Sequence, residues 1–384
     1  MTRTRATSTA EAPVVVGALR TPIGTAGMAL REVSAADLAA PVLAALTGPL
    51  DGLLPHDVVL GNCMGPGGDV ARVATLAAGL PVAVPALTVD RQCGSGLAAH
   101  DVASALARTR PGLVLAGGVE SASTAPWRCW PPVGDAPPRR YERAPFAPAD
   151  LGDPEMGLAA DLLAEERGID RARQDSYAAR SHARAAATAA AGGFAAETVP
   201  VAGLGHDERV RAGLTVERLA RLRPSFRPEG TVTAGNACGV NDGAAAVALV
   251  DARTAADLGL PGMRVLATAT AGVHPRQPGL GIVPAVRRVL GATGLGLDDL
   301  DVVELNEAFA GQVLACCDEL GLDEERVCPQ GGALALGHPW GASGAVLAVR
   351  LFSRLVREDA GELGLAAIAV GGGQGVAMVV QRCR

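Results

Sequence analysis

One pattern occurs twice in this chain. Cys93-Gly94-Ser95-Gly96 leads into an Ala-rich stretch of helical length, then into the apolar run 113–116 and Gly117-Gly118. Gly341-Ala342-Ser343-Gly344 leads likewise into a helical stretch, the run 366–370 and Gly371-Gly372-Gly373. A repeated turn, helix, strand and glycine turn implies two similar halves, each a sheet with helices, with Cys93 and Gly341 in equivalent places. Other short apolar runs at 14–16, 58–60, 244–250, 302–305 and 377–380 alternate with Ala-rich stretches such as 96–108 and 342–358. That alternation predicts an α/β architecture with strands buried on both faces. At 384 residues there is room for two cores. Aromatics make up only 3% of the chain, so those cores must be built from Ala, Val, Leu and Gly, which suits helices packed closely on sheets.

The middle third reads differently. Residues 126–148 are rich in Pro and Arg (Pro131, Pro132, Pro137, Pro138, Arg139, Arg140), a composition that predicts no regular element. A polar helical stretch follows at 159–191, then Arg209, Arg211, Arg218, Arg221, Arg223 and Arg227. This is expected to be an excursion inserted into the first half.

The net charge of −6 supplies no general basic field, which argues against nucleic acid and anionic membranes as partners. A phosphorylated ligand would have to meet a local Arg cluster. All 34 basic side chains are Arg, a bias of composition to which we attach no function. No run of 18 apolar residues occurs, and Arg3 and Arg5 have no apolar stretch behind them, so a cytoplasmic protein is expected. Eight Cys (63, 93, 129, 238, 316, 317, 328, 383) are scattered, without the paired spacings of a metal site or the density of a secreted scaffold.

Four residues stand where chemistry is expected. Cys93 precedes a helix, and the helix N-terminus should lower its pKa and favour the nucleophilic thiolate; the alternative is a small buried hydrophobe. His338, in the tightly turned Gly337-His338-Pro339, is placed to take a proton from a thiol. Asn306 and Glu307 follow the run 302–305, where ligands bind in open α/β sheets, although Asn306 could equally be a helix cap.

Five ordered segments, Val89 through Gly96, Gly117-Gly118-Val119-Glu120-Ser121, Asn306-Glu307-Ala308-Phe309-Ala310, Gly331 through Gly344, and Gly371-Gly372-Gly373-Gln374-Gly375, resemble the motifs of the thiolase family. Arg20-Thr21-Pro22 and residues 231–245 add to the likeness, which covers nearly the whole chain. The resemblance implies a five-layered αβαβα fold with two similar halves and an inserted loop lobe. The halves would be 1–118, completed by about 247–262, and 263–384, with a coenzyme A-binding lobe at 119–246. It implies that Cys93 carries the acyl group, that His338 activates it, and that Asn306 fixes an oxyanion-hole water. The backbone N–H groups of Cys93 and Gly371 would form a second hole. Met156, Arg211, Phe226 and Cys238 would line the nucleotide and pantetheine. A coenzyme A thioester would be the substrate, with no permanently bound cofactor, in a homodimer or homotetramer.

The chain departs from the family at its last catalytic position. A second Cys usually stands two residues before the Gly-Gly-Gly-Gln-Gly run; here it is Ala369. That Cys moves a proton on the acetyl-CoA methyl, and losing such a group costs about 10²- to 10⁴-fold. Cys63, Cys316 and Cys317 are the candidate substitutes. Asp90, Cys238, Gln330 and Trp340 are milder departures, and Trp340 is expected either to pack as an ordinary bulky side chain or to narrow the acyl pocket. The remaining Cys-His-Asn set resembles that of initiating ketoacyl synthases, which obtain their carbon nucleophile by decarboxylation. The expected activity is therefore an acyl-CoA C-acyltransferase, decarboxylative in this reading. The alternatives are transfer to an oxygen or nitrogen nucleophile or to water, or a non-catalytic acyl-CoA-binding subunit.

Overall fold

A computed structural model describes residues 11–50 and 52–383. The expectation that 1–13 carries no leader falls mostly outside them. The first half runs β1 (Val14–Arg20), β2 (Gly24–Thr25), α1 (Ala35–Thr47), β3 (Pro55–Gly61), α2 (Val70–Ala77), β4 (Ala86–Val89), α3 (Ser95–Thr109) and β5 (Leu113–Ser121). The excursion carries β6 (Arg128–Trp130), β7 (Arg139–Tyr141), α4 (Met156–Glu166), α5 (Arg171–Ala190) and α6 (Val216–Leu219). The chain then returns through β8 (Asn241–Val250) and α7 (Ala252–Leu258). The second half is β9 (Gly262–Gly272), α8 (Ile282–Thr293), β10 (Val302–Leu305), α9 (Ala310–Leu320), α10 (Ala333–Leu336), α11 (Trp340–Phe352), β11 (Leu363–Val370) and β12 (Gln374–Cys383).

The strands lie in the order β10-β11-β12-β9-β1-β8-β5-β3-β4. In the first half β4 and β5 flank β3 in parallel, then β8 and β1 follow antiparallel. In the second, β11 is parallel to β10, and β12 and β9 follow antiparallel. The counterpart of β4 has shrunk to a single parallel bridge, Val303 to Val327. The halves join edge to edge where Val14 and Val15 pair with Arg264 and Met263.

Alternation along the strands sorts side chains into three cores. Leu113, Leu115 and Val119 of β5 face α1 and α2, whereas Val114 and Ala116 face the centre. Ile368 and Val370 of β11 also face the centre, while Leu365, Ala367 and Ala369 face α8 and α9. The central layer is α3 with α11, giving five layers. The repeated Ser-Gly now has a physical reason. A Cβ on Gly96 would lie 2.5 Å from Ala345 N, and one on Gly344 would lie 2.5 Å from Leu97 N, so these two glycines let the central helices touch backbone to backbone.

Some expectations need correcting. Residues 126–148 do form a regular element, since β6 and β7 pair antiparallel, with the four prolines held in the loop between them. The helical stretch 159–191 is two helices broken at Gly168 (φ 64°). Strand β9 gave no apolar run because its Thr and Ala alternate (GMRVLATATAG). β5 continues to Ser121 and β8 begins at Asn241, so the segment outside the sheet spans 122–240. Among the described residues no helix is long and apolar enough to cross a membrane.

Candidate active site

Cys93 sits in the turn from β4 into α3. Gln92 takes the left-handed conformation (φ 45°). The turn is then locked: Gly94 N donates to Arg91 O (2.9 Å), Ser95 Oγ donates to Gln92 O (2.6 Å), and Arg91 N donates to Ser95 Oγ (2.8 Å). Although Cys93 keeps some surface exposure, its thiol is enclosed by protein.

The expected lowering of its pKa is not found. Burial pushes the thiol up to about 12, and the nearby Glu120 and Asp90 add to the rise. The N–H groups of Cys93 and Gly371 donate toward the sulfur and pull the other way, but desolvation wins because the start of α3 lies in the centre of the molecule.

His338 is equally buried and is pushed down to about 4, so it is a neutral imidazole. Gly337 before it has φ 116°, and a Cβ there would strike Asn241 at 2.7 Å. Asn241 Oδ1 in turn accepts from His338 N (2.9 Å). His338 Nδ1 lies 2.5 Å from Ser343 Oγ, which is also 3.0 Å from Pro339 O. With the hydroxyl donating to Pro339, Ser343 accepts from Nδ1–H and the lone pair stays on Nε2. Asn306 Nδ2 stands 3.5 Å from Nδ1. Asn306 is anchored at the end of β10, where its N donates to Ala367 O (2.9 Å), and does not cap a helix with its side chain.

A narrow cavity of about 20 Å³, roughly one water in size, is lined by Cys93, Met156, Phe309, Gln312 and Ala369 among others. Three of the four residues expected at coenzyme A gather around it. Met156 lines it directly; Phe226 packs edge-on against Phe309 (6.2 Å between ring centres); Cys238 N donates to Ala308 O (2.9 Å) in the wall. Arg211 stands farther out on the surface, with Arg209 and His182 in electrostatic reach of one another. Trp340 is not part of this lining.

Among the described residues the cavity contains no carboxylate and no thiol besides Cys93. Cys316 lies behind its wall, with Sγ 3.2 Å from Gly279 O and its thiol pushed up to about 12. Cys63 donates to Gln92 O (3.0 Å) from the other side of the turn, and burial also raises Cys317. Nearby carboxylates are engaged elsewhere. Glu120 accepts from Gly341 N (3.0 Å), Met64 N (3.0 Å) and Cys63 N (3.2 Å), and Glu307 accepts from Ser181 Oγ (2.6 Å) and Tyr177 Oη (2.9 Å). Nothing at position 369 can move a proton.

No hydrogen bond joins Cys93 to His338 among the described residues. The two sit at the entrances of the central helices; Ala367 O of β11 holds Asn306, and Ala369 of the same strand lines the cavity with Cys93. Sequence reasoning missed Ser343, Asn241 and Glu120 as supports. Ser343 and Asn241 lay within recognised motifs, but only a fold can show which atom each one meets.

The fold is made of two matching halves, with a neutral thiol that two N–H groups approach at the entrance of one central helix and a neutral imidazole at the entrance of the other. Family models for the thiolase N-terminal and C-terminal domains match residues 13–253 and 261–382, and the chain belongs to the thiolase family. It is 43% identical to the acetyl-CoA acetyltransferase of Pseudomonas aeruginosa, over 96% of this chain and 99% of that one. It is 44% identical to the 3-oxoadipyl-CoA/3-oxo-5,6-dehydrosuberyl-CoA thiolase of Escherichia coli, over 95% and 98%. The crystal structure of the Bacillus anthracis acetyl-CoA acetyltransferase superposes with a TM-score of 0.90 at 37% identity, covering 97% of this chain and 99% of that one. Human mitochondrial 3-ketoacyl-CoA thiolase in complex with CoA gives 0.89 at 33% identity, over 98% and 99%. The chain is a thiolase-type acyltransferase acting on coenzyme A thioesters, chemistry that needs no permanently bound cofactor.

Proposed function

We propose that this enzyme forms carbon–carbon bonds by decarboxylative condensation. The observation that carries the reading is Ala369 in a cavity without a second thiol or carboxylate. In the first half-reaction His338 Nε2 takes the Cys93 proton as sulfur adds to the acyl-CoA carbonyl. The oxyanion is held by the Cys93 and Gly371 N–H groups, each such donor being worth roughly 3 kcal/mol. Coenzyme A leaves as its thiol, protonated by the imidazolium. In the second, a malonyl thioester loses carbon dioxide to give an enolate beside Asn306 and His338. The enolate carbon attacks acyl-Cys93, the C–S bond breaks, and the Cys93 thiolate takes a proton from solvent, so that the neutral thiol is restored. An acetyl thioester would need a base at position 369 to reach the same enolate.

The lobe at 122–240, with Met156, Arg211, Phe226 and Cys238, is assigned to coenzyme A. The partner is a second copy of the chain, in a dimer or a dimer of dimers. β4 is the open edge of the sheet, and Leu87 on it, with Val73, Leu76 and Val82 nearby, exposes apolar surface that an unpaired edge strand leaves open to association. The protein is assigned to the cytoplasm.

Side-by-side turnover tests the reading. Acyl-Cys93 is expected to condense with malonyl-CoA much faster than with acetyl-CoA, and Ala369→Cys to raise acetyl-CoA condensation and acetoacetyl-CoA thiolysis, about 10²-fold or more, with the malonyl reaction little changed. A wild-type enzyme that prefers acetyl-CoA, or thiolyses acetoacetyl-CoA at ordinary enzymatic rates, would defeat it.

A further inference from the structure

Asn306 and Ser343, which both approach the His338 ring, also line a small cavity of about 10 Å³ together with Glu304, Arg350, glycine backbone and several apolar side chains. None of the steps above uses Glu304. It is 1% exposed, on β10 two residues before Asn306, and its Oε1 has no hydrogen-bond partner. Arg350 Nε, on the opposite wall, also has none. The other Arg350 nitrogens are engaged, with Glu197 and Gln330. The cavity is just large enough for one water and largely apolar in its lining, so a lone carboxylate oxygen and a lone guanidinium N–H on its walls are the groups that a buried water there would satisfy.

The bonds such a water can make are set by the atoms around it. It accepts from Arg350 Nε–H and has two hydrogens to donate. Glu304 Oε1 takes one. Ser343 Oγ, already accepting from His338 Nδ1–H and donating to Pro339 O, has a lone pair left for the other. Asn306, whose amide stands beside the same imidazole nitrogen, closes the hole.

We infer that Glu304 is a positioning residue for His338: through a water in this cavity its carboxylate orients Ser343 and stabilises the imidazolium formed when His338 takes the Cys93 proton. The inference rests on the reading of His338 as the base and adds the group that makes it basic enough. Such a group is needed because His338 has no carboxylate of its own, and burial alone disfavours the protonated ring.

The surroundings of Glu304 set when it can act. Arg350 and Arg354, on and just after α11, favour its charged form, and so does the thiol of Cys328 beside it. Glu307, from the loop following β10, opposes it, and burial outweighs them all, so the carboxyl titrates at about 7. Cys93, at about 12, and His338, at about 4, are both silent between pH 5 and 9. Acylation of Cys93 should therefore rise as pH passes through neutrality and Glu304 ionises, then level off.

The experiment is the pH profile of single-turnover acylation, read by intact mass. Acetyl-pantetheine is the donor, so that no coenzyme A phosphate titrates, and acetyl-CoA is run alongside. Glu304→Gln keeps the shape and removes the charge. It should lose the step near neutrality and be slowed about tenfold at pH 8, less than for a direct proton acceptor because it acts through a water. Affinity for acetyl-CoA should be unchanged. Ser343→Ala, which cuts the link but leaves Glu304 in place, should lose the same step, and it decides the matter if Glu304→Gln does not fold. A step that persists in the folded variants would overturn the inference alone. A wild-type protein that never acquires an acyl adduct on Cys93 would overturn the functional reading and this inference with it.

Discussion

The two halves share strand order and a central helix, but an asparagine follows the parallel strand in each with opposite consequences. Asn62, directly after β3, has both ends of its amide committed: Nδ2 donates to Val119 O (2.9 Å) and Glu120 Oε1 (3.1 Å), and Oδ1 accepts from Gly65 N (2.9 Å). The amide of Asn306, directly after β10, has among the described residues only a long contact of 3.5 Å to His338. The serines of the repeated motif differ similarly. Ser95 ties the Cys93 turn to itself, whereas Ser343 reaches the imidazole of His338. In the first half the polar side chains are used to fix structure, Ser95 holding the nucleophile's turn and Asn62 the segments after β3 and at the end of β5. In the second they are left available for chemistry.

The largest test of this contrast is at the two entrances to the central helices. Cys93→Ala should abolish the acyl adduct seen by intact mass, and His338→Ala should slow its formation by about 10²-fold or more; an adduct surviving in Cys93→Ala would move the nucleophile elsewhere. Next in size is the asparagine pair. Asn306→Ala should lower condensation about 10²- to 10³-fold with a nearly unchanged melting temperature. Asn62→Ala should do the reverse, costing about 1–3 kcal/mol of stability, because Gly65 N and Glu120 lose their partner. If both variants lose mainly activity, or both mainly stability, the division of labour is wrong.

What the sequence made legible follows the same division. The runs that became β5, β10 and β11, and the turns carrying Cys93 and His338, were readable because each packs on a strand–helix repeat with a strong local signature. The partner strand at Val327 was not, because a single bridge leaves no alternating run. Nor was the sign of the Cys93 shift. A helix N-terminus is visible in sequence, but the depth at which the fold buries it is not, and depth decided the outcome. Glu304 passed unremarked inside the apolar run 302–305; the orphaned Nε of Arg350, which also lines its cavity, comes from α11, nearly fifty residues later. Ala369, by contrast, is a loss that a motif shows directly.

The interface that makes the halves alike offers a smaller test. Gly96→Ala and Gly344→Ala each place a Cβ 2.5 Å from a backbone nitrogen of the opposite helix, where nothing flexible can yield. Each should cost about 1–3 kcal/mol in chemical denaturation, as overpacking does. The two should not add in the double variant, since both push the same pair of helices apart. Additive costs would mean that α3 and α11 do not share this contact.

The smallest effect separates two histidines, one in each half. His100, in α3, and His338, before α11, are both fully buried, and both are pushed down to about 4. His100 Nδ1 lies 2.7 Å from Gly96 O, so it carries the proton, and Nε2 has no partner. Between pH 4 and 6.5 the folded protein binds fewer protons here than the unfolded chain. Each histidine's contribution is therefore complete above pH 6.5 and is lost as pH falls toward 4. Glu304, raised to about 7, runs the other way, gaining as pH falls from 7 toward the ordinary carboxylate value, and offsets part of the slope. Replacing His100 with Asn, which can still donate to Gly96 O but does not titrate, should remove one proton from the linkage. The difference in unfolding free energy between pH 7 and pH 5 should then shrink by about 2 kcal/mol. Acylation of Cys93 at pH 7.5 should stay at the wild-type rate, because His100 touches neither the cavity nor His338. An unchanged acid slope would mean that His100 keeps its proton affinity in the folded state. A fall in acylation would mean that the first half supplies more than the backbone around the nucleophile.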